Sequence, residues 1–446
     1  MVSTEKTGDD SGTVRRRAFI KATGAAGAVG AFAGCVGGGD DDGDDGGDGD
    51  TSDGDTSDGD TGDGGIGSGT IQIGAVDART GTLSPFGDRN ERGFQLALDS
   101  INETGIGSNG AELDIQVEDS QSQPQSGVEA AQTLVDQEGV PLLIGAVGSG
   151  VSTAIHDSVV QGTDVVHISQ NSTGAVLAES PDLLRMSPNG AGKGAELATK
   201  INDDGYDELA LTYVNNDYGV SLSDVVTEEF ESMGGEVTAS VAHEEQQNTY
   251  SGTVSELVDT GSEAVLFLTY ASEFTNMVNE LVSRGVNDEI QFYGAESTIA
   301  DEILENTPEG SHDGMIGITE SAPVELDTYQ QFESEFTEAY DVESPTVWAA
   351  YAYDAVMVSA IAIHVAGEAS GNAIGEVVRE VTRSPGEEVT SLAEAKEVVE
   401  EGGDPEAIDY TGVSGPIDLD ENGDPQGAYQ VYRVEDHEYV FGEYII

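Results

Sequence analysis

Polar side chains follow several apolar, strand-like runs of this chain. The run "IQFYGA" is followed by a carboxylate, and other runs end on or are followed by hydroxyl or phenol groups; the full set is Ser149, Ser172, Thr173, Tyr218, Tyr270 and Glu296. Parallel α/β sheets bind ligands in the crevice outside the carboxyl ends of their strands. The set therefore suits a small polar ligand that is held by hydrogen bonds and flanked by rings.

Each of these residues also has a purely structural interpretation, which the residues alone leave open. Ser149 fits a helix N-cap, and Ser172 and Thr173 fit a turn. The two tyrosines fit core or interface positions. Glu296 is one of 86 acidic residues, most of which are expected to be solvated.

The motifs of catalysis and metal binding are incomplete in this sequence. Val147 stands two residues before Ser149, where a nucleophile elbow needs Gly, and the six histidines include no His-x-x-x-His pair. The segment "NGAGKG" at 189–194 lacks the first Gly and the final Ser or Thr of a phosphate-binding loop, which indicates a hinge and a helix start. We expect a binding protein without a catalytic residue, cofactor or metal, rather than an enzyme.

The segment "DLDENGD" at 418–424 has two interpretations. Asp418, Asp420 and Asn422 fit the first positions of a calcium loop, but Tyr429 stands at the twelfth position, where such loops need a bidentate Glu. The pair "NG" also marks a tight turn. The turn is favoured, and calcium binding is left open.

The charge of the chain is strongly one-sided. Against 16 Lys and Arg stand 86 Asp and Glu, which gives a formal net charge of −70. Such a surface argues against nucleic-acid binding. In molar salt the Debye length shrinks to about 3 Å, so the self-repulsion is screened. The composition therefore predicts a halophilic protein.

The first 69 residues resemble an export signal and a tether. The segment "RRRAFIK" at 15–21 precedes a short apolar run and resembles a twin-arginine signal; "FAGC" resembles a lipobox, which implies lipidation of Cys35. Residues 36–69 are almost wholly Gly, Asp, Ser and Thr and cannot bury a core. We expect residues 1–35 to be a signal peptide and residues 36–69 a disordered tether that holds a lipid-anchored body outside the cell membrane.

From residue 70 onwards, short apolar runs alternate with amphipathic ones. Examples are "TIQIGAV", "PLLIGAV" and "EAVLFLTY" for strands, and "RNERGFQLALDSIN" and "GVSLSDVVTEEFESMGG" for helices. This alternation favours parallel sheets with helices on both faces. About 375 residues exceed one comfortable core, so the sequence predicts two α/β domains.

This part of the chain also resembles a known family. The runs "IQIGAVDARTGTLSPFGDRNERGFQLALDSIN", "LIGAVGSGVSTA", "VVHISQNSTGAVL", "LALTYVNNDYG" and "QFYGAES" are similar, in order and spacing, to those of branched-chain amino-acid-binding proteins of ABC importers. The resemblance implies a type I periplasmic-binding-protein fold: two doubly wound parallel-sheet lobes, joined by three crossover segments, that close over a ligand. It assigns residues 70–188 and 320–411 to lobe 1 and residues 189–319 and 412–446 to lobe 2.

The resemblance also implies a role for each candidate residue in lobe 1. Ser149, with the backbone N–H groups of the helix that starts there, is placed at the ligand carboxylate. Ser172 and Thr173 are placed beside both the carboxylate and the ammonium. Phe86 matches an aromatic wall of the side-chain pocket.

The remaining assignments concern lobe 2 and the function. Tyr218 and Tyr270 are expected to close over the ligand, with Glu296 as the counter-ion of its α-ammonium. The implied function is capture of an amino acid, branched-chain or similar, for delivery to ABC permease subunits. The alternative is a ligand-sensing module coupled to a membrane chemoreceptor.

Overall fold

The computed structural model describes residues 66–340, 342 and 344–445. The predicted signal segment, Cys35 and almost all of the predicted tether therefore lie outside the described residues. The strands are β1 (Thr70–Asp77), β2 (Glu112–Asp119), β3 (Leu142–Gly145), β4 (Val166–Ser169), β5 (Leu183–Arg185), β6 (Glu208–Val214), β7 (Glu236–His243), β8 (Ala264–Leu268), β9 (Gln291–Ala295), β10 (Ile316–Glu320), β11 (Glu387–Val389), β12 (Ile408–Gly412), β13 (Gly415–Pro416), β14 (Tyr429–Glu435) and β15 (Glu438–Ile445).

Helices occupy most of the connections between these strands. They are α1 (Ser84–Thr104), α2 (Pro124–Gln132), α3 (Ser149–Ile155), α4 (Gly190–Asp203), α5 (Asp217–Ser232), α6 (Ser251–Asp259), α7 (Ala271–Arg284), α8 (Asp301–Asn306), α9 (Asp327–Tyr340), α10 (Val347–Ala366), α11 (Gly371–Val377) and α12 (Leu392–Glu400).

Two large sheets define two lobes, as the sequence predicts. The first has the order β2-β1-β3-β4-β5 and is parallel throughout. The second has the order β15-β14-β10-β9-β8-β6-β7. Its strands β6 to β10 are parallel, whereas β14 and β15 add an antiparallel edge that the strand-helix alternation does not reveal.

The core of the first lobe is built around α10. Every residue of this helix from Val347 to Ile363 is buried, so it lacks the amphipathic period that marks the other helices. It is also long and apolar enough to pass a membrane-span test by length and composition, but most of its surface is buried inside the lobe. Gly93 lets α1 pack directly on α10, since a Cβ at this position would lie 2.3 Å from the carbonyl oxygen of Ala349.

The chain passes between the lobes three times, after β5, after β10 and before β14. The third passage lies later than the lobe boundary predicted at residue 412. That boundary falls inside the β12–β13 pairing, and Val413, Ile417 and Leu419 belong to the core of the first lobe. The apolar side chains thus keep residues 413–419 in lobe 1, and the chain reaches lobe 2 only with β14.

Candidate functional site

A narrow cleft between the lobes brings together six of the seven residues that the sequence predicts to bind the ligand. The first lobe contributes Phe86, Ser149 and Thr173, and the second contributes Tyr218, Tyr270 and Glu296. Other residues that line the same cavity are Leu83, Val147, Gly148, Asn171, Ser297 and Trp348. The seventh predicted residue, Ser172, lies behind this surface.

Strand ends and helix starts position these side chains. Ser149 is the first residue of α3, and Glu296 follows β9 directly. Tyr218 lies in the first turn of α5, which Asn216 caps by accepting a hydrogen bond from Gly219 N at 3.1 Å. A Cβ on Gly219 would lie 2.1 Å from the carbonyl oxygen of Val214, so only glycine lets α5 start this close to β6.

The two tyrosines form one side of the cleft. Their rings stack with centroids 5.9 Å apart and planes 15° apart. The hydroxyl of Tyr218 lies 2.9 Å from Ser297 Oγ, and the hydroxyl of Tyr270 accepts a hydrogen bond from Asn216 at 3.0 Å. Burial raises the pKa of both phenols above the usual value. They are therefore neutral and offer an aromatic face and a hydroxyl group to a ligand.

Glu296 belongs to a buried cluster of three charged groups. Lys193 of α4 donates hydrogen bonds to Glu296 Oε2 and, at 2.8 Å, to Oε1 of Glu320 at the end of β10. Lys193 and Glu320 are buried and Glu296 is 6% exposed. Burial alone would lower the pKa of Lys193, but the two carboxylates raise it above the usual value, so the amine is charged.

This cluster carries a surplus negative charge when both carboxylates are ionised, because one ammonium faces two carboxylates. Burial and the neighbouring Glu296 together raise the pKa of Glu320 to about 7, despite the opposing effect of the charge of Lys193. An isolated charge at such a site is costly unless it is paired. A cationic group of a ligand would make the cluster neutral.

The hydroxyls of the first lobe differ in their availability. Ser149 Oγ accepts a hydrogen bond from Gly174 N at 2.9 Å, which leaves its own proton free to donate. Ser172 Oγ donates to the carbonyl of Ala146 at 3.1 Å and lies 2.8 Å from Ser152 Oγ. Ser172 thus holds the loop in place, while Ser149 and Thr173 line the cleft.

Sequence reasoning missed several residues of the site. Lys193 and Glu320 give no local signal, because Lys193 is 103 residues away from Glu296 and 127 residues away from Glu320. Asn171 lines the cleft, is 7% exposed, and neither its amide nitrogen nor its amide oxygen has a hydrogen-bond partner among the described residues. Its position next to Ser172, just after β4, is an available signal. Trp348 is the single tryptophan of the chain, which is a second available signal. Its ring packs edge-on against Phe86, with the ring centroids 5.4 Å apart.

The cleft is nearly closed in this conformation. Its cavity volume is about 30 Å³. Ligand sites typically measure about 300–1,000 Å³. An amino acid therefore enters the cleft only if the lobes first move apart.

The segment 418–424 forms a tight turn. Asp420 Oδ1 accepts hydrogen bonds from the backbone N–H groups of Asn422 and Asp424, at 2.8 and 2.9 Å. The carbonyl of Asp420 accepts from Arg379 and Arg383 at 2.9 and 2.8 Å. In the described part of the chain, no three His, Cys, Asp or Glu side chains are grouped as metal ligands. The geometry supports the turn that the sequence favours.

Comparison with known proteins identifies the family. A model of the periplasmic binding protein family matches residues 70–438, which is most of the chain. The chain belongs to the periplasmic binding protein family. Members of this family are extracytoplasmic solute-binding proteins, so the two lobes and the cleft of this periplasmic binding protein form a ligand-binding structure.

Two relatives resemble this periplasmic binding protein over two thirds of its length or more. It is 23% identical to the chemotactic signal transduction system substrate-binding protein BasB of Halobacterium salinarum, over 80% of this chain and 84% of that protein. It is 24% identical to a leucine-, isoleucine-, valine-, threonine- and alanine-binding protein of Pseudomonas aeruginosa, over 67% of this chain and 79% of that protein.

Solved structures show the same fold. A leucine-binding protein of Thermotoga maritima has a TM-score of 0.72 and 22% identity, and covers 84% of this chain and 98% of its own. A solute-binding protein of Rhodopseudomonas palustris in complex with benzoate has a TM-score of 0.68 and 16% identity, and covers 83% of this chain and 95% of its own. The predicted type I two-lobe fold is confirmed.

Proposed function

We propose that this chain captures an amino acid, branched-chain or similar, in the cleft and delivers it to an ABC importer by hinge closure. The carrying observation is the Lys193–Glu296–Glu320 cluster, whose surplus negative charge lies at the edge of the cleft and suits an α-ammonium. Ser149, Thr173 and the amide of Asn171 supply donors for the α-carboxylate. The amino-acid-binding relative from Pseudomonas aeruginosa supports the same ligand class.

The mechanism is binding followed by closure. Charge-assisted hydrogen bonds contribute about 1.5–3 kcal/mol each, and a micromolar dissociation constant needs about 8 kcal/mol. To shift the ratio of closed to open protein from 1:99 to 99:1, the ligand must bind the closed state more tightly than the open state by about 5.5 kcal/mol. Contacts with Tyr218, Tyr270 and Glu296 supply this difference, because the second lobe reaches a ligand held by the first lobe only after closure.

Mass spectrometry of the small molecule released from the purified protein tests the ligand class. A free amino acid is the expected result. An acid or amide without an ammonium group would contradict the proposal, because it would leave the surplus charge of the cluster without a partner.

A second candidate function is sensing, in which the loaded protein signals to a membrane chemoreceptor. The similarity to a chemotactic substrate-binding protein of Halobacterium salinarum favours it. Both functions use the same binding step. Deletion of the gene should abolish uptake of the labelled amino acid if the protein serves transport, and should abolish only the chemotactic response if it serves sensing.

The proposal includes the membrane anchor at Cys35. A lipidated cysteine would hold the binding protein at the extracellular face of the membrane, beside its permease. Cys35→Ser should release the protein into the medium, as measured by immunoblotting of the cell and medium fractions. Retention of the variant on the membrane would contradict the anchor.

A further inference from the structure

A second, larger cavity adjoins the cleft. Its volume is about 460 Å³, within the range of about 300–1,000 Å³ that small-ligand sites occupy. Glu296 and Trp348 line both cavities, so the two spaces meet at these side chains. Both lobes contribute to the larger cavity, with Arg89, Tyr329 and Trp348 from the first and Glu320, Phe441 and Tyr444 from the second.

One end of this cavity is acidic and incompletely paired. Oε1 of Glu320 accepts the hydrogen bond from Lys193, whereas Oε2 of the same carboxylate is buried and has no hydrogen-bond partner among the described residues. With the α-ammonium at Glu296 and Glu320 and the α-carboxylate at Ser149 in the cleft, the side chain of an amino acid would lie beside the larger cavity.

Four aromatic residues line this cavity, beside aliphatic ones such as Ile299 and Val347. Tyr329 and Trp348 are buried, whereas Phe441 and Tyr444 on the edge strand β15 are 50% and 47% exposed. Exposed rings are unusual on a surface as highly charged as this one, and clustered exposed apolar groups mark binding sites. Aromatic rings interact best with other rings, edge-on or offset.

An arginine in the wall of the cavity disfavours a cationic side chain on the ligand. Arg89 lines it, with its guanidinium carbon 5.6 Å from the centroid of the Phe86 ring. Within residues 66–340, 342 and 344–445 this guanidinium makes no ion pair or side-chain hydrogen bond, although the charges of Asp301 and Asp88 partly offset the lowering of its pKa by burial. The α-ammonium balances the surplus negative charge of the cluster, so a second positive charge on the ligand would be repelled by this arginine without a gain from Glu296 or Glu320.

We propose that the larger cavity holds the side chain of the bound amino acid and that the protein prefers an aromatic amino acid to a branched-chain aliphatic one. This inference rests on the proposed function, since it requires the α-ammonium at Glu296. A branched aliphatic side chain fills only a small part of about 460 Å³, whereas an indole or phenyl ring also offers the ring-to-ring contacts that the aromatic residues of the cavity favour.

Isothermal titration calorimetry with L-tryptophan and L-leucine in high salt tests the preference. Wild-type protein should bind tryptophan at least about tenfold more tightly than leucine, the order of discrimination that apolar pockets achieve. Phe441→Ala should reduce the ratio of the two affinities, because it removes a ring from the cavity. Val440→Ala changes a neighbouring exposed residue that does not line the cavity and should leave the ratio unchanged.

The outcomes separate the inference from the function on which it rests. Equal affinities, tighter leucine binding, or a ratio that Phe441→Ala does not change would overturn the aromatic preference while leaving amino-acid capture intact. Binding of neither amino acid, in a protein that releases no amino acid on denaturation, would overturn both proposals.

Discussion

Glu296 has a structural partner as well as a proposed ligand. The chain contains 86 acidic side chains, and the position of Glu296 at the end of an apolar run distinguishes it from most of the others. What the sequence does not reveal is Lys193, which already neutralises one charge of the cluster. The buried carboxylate therefore has an ion-pair partner without a ligand, and the surplus charge that a ligand balances is shared between Glu296 and Glu320.

At the residue scale, Asn171→Ala should weaken binding of the amino acid by about tenfold, because an amide that lacks protein partners gains them from the ligand. The same change should not lower the free energy of unfolding of the ligand-free protein, since it removes a buried polar group that has no hydrogen bond to lose. Calorimetry and thermal denaturation measure the two effects. Asn276→Ala, which changes an amide on α7 far from the cleft, is the control, and an equal loss of affinity there would contradict the role of Asn171.

Glu320 makes a pH dependence predictable. Burial raises its pKa to about 7, so below pH 7 the group is increasingly protonated and the cluster loses its surplus charge. Affinity for an ammonium ligand should rise as the pH increases from about 6 to 8, and Glu320→Gln should remove this dependence.

The raised pKa of Glu320 has the opposite effect on folding. The folded state keeps a proton that the unfolded state loses above about pH 4.5, so this group's contribution to the free energy of unfolding falls as the pH rises towards 7.

A control exists for the pH experiment. Burial also raises the pKa of Asp77 to about 7, but Asp77 accepts a hydrogen bond from Asn90 and lines neither cavity. Asp77→Asn should therefore leave the pH dependence of binding unchanged. Persistence of the dependence in Glu320→Gln would assign it to another group.

At the scale of elements, a buried arginine connects the loop after β4, which contains Ser172 and Thr173, to the segments that pass between the lobes. Arg185 donates from Nε to Asp424 at 2.6 Å and from Nη1 to the carbonyl of Gly174 at 2.9 Å. Asp424 also accepts from Asn189, the N-cap of α4, at 2.9 Å. Two of the three passages and the loop after β4 thus share one hydrogen-bond network.

Breaking this network should destabilise the protein strongly. Arg185→Ala leaves Asp424 buried without its cation, which typically costs about 3–5 kcal/mol. Arg79→Ala removes the partner of Glu91 in a pair whose side chains are about half exposed, and such pairs contribute about 0–1 kcal/mol. Denaturant unfolding of both variants measures the difference, and equal losses would show that the buried network is not important for stability.

The elements that the sequence predicts are those with a clear period. Strands β1 to β4 and β6 to β10 follow apolar runs, and α1 and α5 follow amphipathic ones. The short strand β5, the helix α10 and the C-terminal strands escape prediction for different reasons. β5 has three residues, α10 is apolar on all sides, and β14 and β15 pair antiparallel in a part of the chain where the alternation of strand and helix has ended.

The residues of the site likewise divide into those that a local sequence pattern predicts and those that it does not. Residues attached to strand ends, such as Ser149 and Glu296, are predictable, because the direction of parallel strands brings their ends together. Lys193 and Glu320 are not, since their contacts depend on how α4 and β10 pack across more than 100 residues of chain. Ser172 lies in the predicted loop, but the sequence does not show which of two adjacent hydroxyls faces the cleft.

At the scale of the whole molecule, the net charge of −70 predicts a stability that depends on salt. Repulsion among the carboxylates opposes the compact state at low ionic strength, whereas molar salt reduces the Debye length to about 3 Å. The protein should therefore unfold on dialysis from molar to millimolar salt, as measured by circular dichroism. Full stability in low salt would contradict the halophilic interpretation.

The proposed function depends on recognition of an ammonium group in the cleft. Calorimetry of the amino acid released from the protein, titrated into wild-type, Glu296→Gln and Glu302→Gln, tests this recognition most directly. Glu302 is an exposed carboxylate on α8 and serves as the matched control. We predict at least a tenfold loss of affinity in Glu296→Gln only, which corresponds to about 1.4 kcal/mol, with the fold intact by circular dichroism; an unchanged affinity in a folded Glu296→Gln variant would contradict the proposal.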